Sequence, residues 1–481
     1  INVPKAPLRA PSRHRLSARR TPWWKLAACS LLCVWLGATA VFVRRGTSQP
    51  PAAATRLARS FRPVAAVETA AASGVAAFAD ASGAWYLALS NYYAASALYS
   101  FDPSSLSLHE AQTFLSRQAH DWEVIRHVGG WTQLFLCEAA EERSIVYTLN
   151  DSAAPPQVWR ATPWSDCRDS EGVASRCREW SESGECERNG AFMHANCAAS
   201  CGRCGAARGP LVAVQQLPVA YASASRHFFV GRRLFLAITE RHQVSVYEWH
   251  AASTQWSFFT RLESAGMCEV SHVQQPRGGH LLAFARWYAG GSFVGHSAIY
   301  HFSPDADPPL RLMQEVPSRG AHDVEFFRTK REGAQTSPGP GAAASTDEVW
   351  LLVANARDEA SQHVMSDVYR LNESKFELVQ SIPTSGAHDW EPMHVDGRLV
   401  FAVANQGDGT SCSTEGGVVV FAYDNSELRA LESIPTGGCT VFARSFTAAG
   451  RTFLAVATER EGDDPQNTST YRTKSRVFLW Q

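Results

Sequence analysis

Gly-Ala-His-Asp-Val-Glu at 320–325 returns as Gly-Ala-His-Asp-Trp-Glu at 386–391, and Ala-His-Asp-Trp-Glu already stands at 119–123. An internal repeat fixes architecture before any single residue does, because each copy must solve the same packing problem. Two apolar runs recur with the motif. The first reads Tyr-Leu-Ala-Leu-Ser-Asn at 86–91 and comes back from 134, 234, 281, 350, 400 and 453. The second alternates around an aromatic, as in Ser-Ala-Leu-Tyr-Ser-Phe at 96–101, and comes back from 144, 244, 297, 366, 418 and 475. Each therefore occurs seven times. Short β-branched and aromatic runs at a period of about 50, separated by Gly, Asp, Asn and Ser, are the pattern of propeller blades.

Four strands fit each period. The inner strand holds the Asp-Trp-Glu position, the two runs form the middle pair, and an outer strand reads like Phe376-Glu-Leu-Val-Gln-Ser-Ile-Pro-Thr384. The chain stops at Gln481 before the seventh blade has its outer strand. Residues 61–69 supply it: Phe61, Val64, Val67 and Thr69 match Phe376, Val379, Ile382 and Thr384, and the first inner strand begins only near Val75. Closure of this kind removes the two free sheet edges of an open ring. Fold class is accordingly all-β, a seven-bladed propeller closed by an N-terminal strand.

The recurring Asp-Trp, the Leu-Ala-Val-Ala-Asn-like strand and the Val-Tyr strand resemble the EAR (epitempin-type) repeat family over 61–481, apart from one insertion. That resemblance implies a seven-bladed, usually extracellular propeller with a protein-binding surface. Gly74-Val75 stands in for Asp-Trp in blade 1, and Phe228 or Phe229, Cys268 and Phe442 fall near the Trp position in blades 3, 4 and 7.

The spacing doubles between Tyr147 and Tyr247, and the excess contains Cys167, Cys177, Cys186, Cys197, Cys201 and Cys204, half of the twelve cysteines. So short a segment cannot bury a sufficient core, and an even cysteine count reads as a disulfide framework. A zinc site using Cys201, Cys204 and His194 is the competing reading. The strings at 177–186 and 197–204 are similar to the ShKT (ShK toxin-like) domain. The resemblance implies the pairs Cys167–Cys204, Cys177–Cys197 and Cys186–Cys201. Channel-blocking members carry Lys-Tyr where this chain has Ala191-Phe192, so a pore-plugging role is not expected. The module is placed between the third and fourth strands of blade 2, because Ala213–Pro218 resumes the outer-strand pattern.

Leu26–Val43 is apolar and close to the roughly 20 residues that cross a bilayer. Seven cations and no acidic residue precede it, which favours a cytoplasmic N-terminus, and the disulfide module needs an oxidising compartment beyond it. The expected organisation is a basic tail over 1–22, a type II signal anchor over 23–45, a stem over 46–60, the propeller over 61–481 and the ShKT module over 167–204. Alternatives are a signal peptide cleaved after Ala38-Thr-Ala40, giving a secreted product, and a transit peptide. Cys29 and Cys33 fall in the apolar span, and 331–346 reads as a Gly/Ala/Ser/Pro-rich loop in blade 5.

A formal charge of −1 provides no global field for nucleic acid. Sequons place glycan acceptors at Asn150, Asn372 and Asn467. Cys412 and Cys439 lie near one another in the register of blades 6 and 7, where a pair is open to them but not fixed by the sequence, whereas Cys137 and Cys268, in blades 2 and 4, are not expected to bond each other. His120-Asp121, His322-Asp323 and His388-Asp389 look like acid–base pairs, but a catalytic group is needed once, not in three blades. They are read as structural, with Asp tying an inner-strand turn and Trp122 and Trp390 packing between blades. A sharper alternative has Asp121, Glu123, Asp323, Glu325, Asp389 and Glu391 facing the channel around a divalent cation. No catalytic residue, cofactor or metal ligand is assigned. The expectation is a non-enzymatic, membrane-anchored recognition protein with an extracellular protein or glycan ligand. The rival is a type II, Golgi-like glycan-modifying enzyme.

Overall fold

The computed structural model describes residues 59–481 apart from 115, 140–142, 151–168, 170–172, 190–192, 194–195, 198–199, 202–208, 331–346, 409–411, 413–416, 425 and 462–467. The expected tail and anchor, Cys29, Cys33, Ala191-Phe192, Cys167, Cys204, His194, Asn467 and the 331–346 loop lie outside those residues. Among the described residues no helix is long and apolar enough to cross a membrane.

Seven antiparallel four-stranded sheets form the ring, spanning 72–114, 119–217, 222–263, 267–319, 321–385, 387–434 and 439–480. The seventh takes its outer strand, Phe61–Ala70, from the other end of the chain, paired with Arg472–Trp480. Each sheet is covered on both faces, so its middle strands are nearly all apolar; Val349–Asn355 is buried throughout. Seven hydrophobic clusters fill the gaps between blades, one per gap. Trp122 packs against Phe78 and Phe114 of blade 1, and Trp390 against Phe327 and Trp350 of blade 5. These two indoles do pack between blades.

Every outer strand has a β-bulge opposite the aromatic of the third strand, at residues 64, 111, 214, 259, 313, 379 and 431. Bulges twist an exposed edge away from regular pairing. The next residue in four blades is a glutamine. Its amide both donates and accepts, and it closes both hydrogen bonds on one backbone unit of the following blade: Gln112 on Leu211, Gln215 on Trp256, Gln314 on Phe376 and Gln380 on Leu428, all at 2.7–2.9 Å. Blade 6 has Glu432 there, which accepts from Phe61 N at 3.2 Å. A carboxylate cannot return the second bond.

The insertion leaves blade 2 between Ser144–Leu149 and Leu211–Leu217, as the resumed pattern indicated. It contains α1 (Ala174–Glu182) and the short α2 (Glu185–Arg188), around Cys177–Cys197 and Cys186–Cys201 disulfides. With Cys201 bonded to Cys186, the zinc alternative loses a thiolate ligand. The Arg188 carbonyl accepts a 3.4 Å hydrogen bond from Arg472 of blade 7.

Candidate functional site

The repeated motif is split by a second bulge. At the start of every inner strand the register slips, in blade 2 between Ala119 and Asp121 and in blade 6 between Ala387 and Asp389. Equivalent slips occur in the other five blades. The extra residue is re-aimed out of the sheet. Ser73, His120, Ser223, Cys268, His322, His388 and Val441 occupy the slips, and all seven line one cavity of about 1130 Å³ at the channel mouth. In blades 5 and 6 the bulge separates His from the Asp beside it: His322 and His388 go to the cavity, Asp323 and Asp389 to the neighbouring blade, whereas in blade 2 both His120 and Asp121 line the cavity. The pairs in blades 5 and 6 are not acid–base dyads.

The carboxylates hold the ring together. Asp323 Oδ2 accepts from Trp390 N and Asp389 Oδ2 from Ala443 N, both at 2.8 Å. Two residues on, Glu123 Oε1 accepts from His227 N at 2.8 Å and His227 Nδ1 at 2.6 Å, and Glu391 Oε1 from Ser445 N at 2.8 Å. In blade 4 Ser271 Oγ accepts from Phe326 N at 3.0 Å in the same way. Asp323 and Asp389 thus tie one blade to the next rather than an inner-strand turn within their own blade.

These bonds also correct the register of the divergent blades. Ser225, Val270 and Ala443 take the Trp position in blades 3, 4 and 7, not Phe228 or Phe229, Cys268 and Phe442. Cys268 is itself the bulge residue, Phe442 takes the Asp position, and Phe228 and Phe229 lie further along their strand. In blade 1 Gly74 and Val75 do stand in for Asp-Trp. A Cβ on Gly74 would come within 2.6 Å of the His120 carbonyl oxygen, which leaves no room for the Asp.

Guanidinium groups occupy the channel among the acids. Arg226 Nη2 reaches Glu325 Oε2 at 2.9 Å from blade 3 to blade 5, and Arg444 Nη1 reaches Glu391 Oε2 at 2.8 Å. Among the described residues no group of three or more His, Cys, Asp or Glu is arranged to hold a metal ion. Burial pushes Asp389 up to about 7 and Asp121, whose Oδ1 has no protein partner, up to about 6. Burial opposes the Glu123 carboxylate as well, but the His227 hydrogen bond and charge outweigh it and hold it low.

Above the throat the wall is aromatic. His322 stacks on His388 at 3.7 Å between ring centres, Trp287 lies 4.1 Å from His322, and Tyr92 meets His120 edge-on at 5.5 Å. Burial holds His120 and His388 down to about 4 and His322 well below the ordinary range. At the rim, Tyr93, Tyr221 and Tyr288 are 47%, 45% and 44% exposed, which leaves three rings available to a ligand. The 288–293 loop is pinned by the Glu359 carboxylate, which accepts from Ser292 Oγ and Phe293 N at 2.5 and 2.8 Å, and the Arg357 guanidinium lies 4.4 Å over Phe293.

None of these rim residues stood out in the sequence. Their signal was an aromatic pair after the first apolar run, Tyr92-Tyr93 and Trp287-Tyr288. Cys412 and Cys439 are bonded, joining blades 6 and 7. Cys137 and Cys268 are free. Asn150 and Asn372 are exposed at the ends of the third strands of blades 2 and 5.

The ShK domain-like family matches residues 166–204 and the EPTP domain family matches 375–413, a stretch that runs from the outer strand of blade 5 into blade 6. Thrombospondin-type laminin G domain and EAR repeat-containing proteins of Mus musculus and Homo sapiens are 27% identical over 307 residues and 32% identical over 304. The aligned segments cover 53% and 52% of this chain and 45% and 44% of theirs, so the chain spans less than half the length of the curated relatives it matches. A solved protein from Lactobacillus plantarum aligns over 77% of this chain and 86% of its own, at 12% identity and a TM-score of 0.44.

Proposed function

We propose that this chain, an EAR-repeat-type seven-bladed propeller with an inserted ShK-like module, is a non-enzymatic recognition protein that seats a protein partner on the aromatic funnel of its ring. The observation that carries this reading is the pairing of a wide cavity with three exposed tyrosines on its rim. Large amphipathic rings held rigidly are what protein interfaces use as anchors. The split pairs favour binding over catalysis, because the stacked throat histidines His322 and His388 have lost the carboxylates beside them in sequence to the neighbouring blade.

The disulfides and the ShK-like module fit an extracellular or lumenal setting. In this reading residues 23–45 anchor the chain, the propeller faces the lumen, Asn150, Asn372 and Asn467 accept glycans, and Cys167 pairs with Cys204. An N-glycosidase mobility shift on the full chain in cells checks the compartment. The function is tested by binding the purified chain to a panel of cell-surface proteins beside a Tyr93→Ser/Tyr288→Ser variant. At least tenfold weaker capture by the variant, with unchanged melting, is expected; equal capture overturns the funnel as the site.

A further inference from the structure

The opposite mouth of the channel differs in charge. There the first and second strands of each blade turn back, and six consecutive blades each place a cation in or beside that turn: Arg126, Arg232, Arg277, Lys330, Arg398 and Arg451. The first five are exposed and form no ion pair with another described residue. Arg451 is half-buried, its guanidinium 5.4 Å over the Phe453 ring. Blade 1 has Asp80 instead, whose carboxylate accepts from Ser82 and Ala84 in its own turn.

The acids on this face are largely engaged already. Asp347 pairs with Arg328, Asp396 with Arg59, and Asp305 and Glu248 with Arg233. Asp102 accepts from Ser104 and Ser105. Asp424 and Glu427 share Arg429 farther out. Among the described residues of the first-to-second turns themselves, the acids are Asp80, Asp347, Glu348 and Asp396, two of them already paired, so the six cations leave the inner turns positive on a chain whose formal total is −1. A ring of like charges repels itself and is retained at a cost in stability unless an anion answers it.

We propose that this collar binds a sulfated saccharide, independently of the funnel on the other face. Five of the six cations are arginines, whose planar fork matches sulfate oxygens two at a time. Among the described residues these turns expose one large apolar side chain, Val128 at 88%, and so offer few of the hydrophobic anchors a peptide partner would need. Contacts spread over six blades suit an extended polyanion, and association governed by counterion release is steeply salt-dependent.

The test measures binding of the full chain to heparin, to desulfated heparin and to poly-glutamate over a range of salt. The probe variant is Arg232→Ser/Arg277→Ser/Arg398→Ser. Controls are Arg178→Ser/Arg261→Ser/Arg319→Ser, which makes the same charge change elsewhere, and Arg13→Ser/Arg15→Ser/Arg19→Ser/Arg20→Ser in the basic N-terminal segment. Expected are about tenfold weaker heparin binding and a shallower salt slope for the probe variant, both controls near wild type, and little binding of desulfated heparin. Equal binding by probe variant and wild type, or loss only in the N-terminal control, overturns the collar. Poly-glutamate binding as tight as heparin overturns the saccharide in favour of an acidic protein. Unchanged melting of the probe variant excludes misfolding as the cause of a loss.

Discussion

The inner and outer ends of each blade solve the same problem with different chemistry. Both carry a bulge, and both tie one blade to the next with a side chain on a backbone group. Outside, a neutral glutamine closes two bonds at once and recurs in four blades. Inside, carboxylates accept bonds from the next blade, and the residue type changes from blade to blade: Asp121, Ala224, Glu269 and Asp323 occupy one register position in blades 2 to 5. The outer end has only a neighbour to hold. The inner end also borders a cavity, and substitution there re-equips the throat while the hydrophobic clusters keep the ring closed.

That contrast is broken most severely by removing the outer seam at its weakest point. Deleting residues 58–70 strips blade 7 of its outer strand and exposes Arg472–Trp480, and the cooperative melting transition is expected to disappear; a chain starting at Ser73 that melts like the parent would refute the closure. Gln380→Ala leaves the N–H and C=O of Leu428 without partners and should cost about 2–4 kcal/mol in urea unfolding. At the inner end Asp389→Asn keeps an acceptor for Ala443 N, and burial already raises this carboxyl toward neutrality, so the cost should stay below about 1 kcal/mol. An Asn variant as damaging as Gln380→Ala would erase the distinction between the two ends.

Glu432→Gln sharpens it in the other direction. The amide can return the bond that the carboxylate cannot, and stability should rise by about 0.5–1 kcal/mol at neutral pH. The last effect is a slope rather than an offset. His388 is held down to about 4 from 6.5, so between those values the unfolded chain takes up a proton that the folded chain refuses, and stability falls as pH drops through the window. Asp389, raised from 3.8 to about 7, acts oppositely and removes stability as pH rises through its own window. His388→Gln should therefore flatten the acid-side decline by at most about 1.4 kcal/mol per pH unit, read from unfolding midpoints between pH 4 and 6.5.

Ring size, strand order and the closing strand could be read from the chain because they follow from burial: both faces of every sheet are covered, and apolar runs such as Trp350–Asn355 declare themselves. The Gln staple went unread, although Gln112, Gln215, Gln314 and Gln380 share one place in the outer-strand pattern, because its role needs the neighbouring blade. The throat was not legible. His388 and Asp389 are adjacent letters, and only the bulge at His388 shows that one faces the cavity and the other the next blade. The rim tyrosines lie in connections of unequal length, where the period that aligned the strands gives no register.

The account rests on the funnel being where a partner sits. Hydroxyl-radical footprinting of the purified full chain, free and bound to a captured cell-surface protein, tests this directly. Protection of Tyr93, Tyr221, Trp287 and Tyr288, with the outer strands unchanged, is the predicted result. Protection confined to the opposite turns or to the ShK-like module, with the rim as reactive as in the free chain, would contradict it.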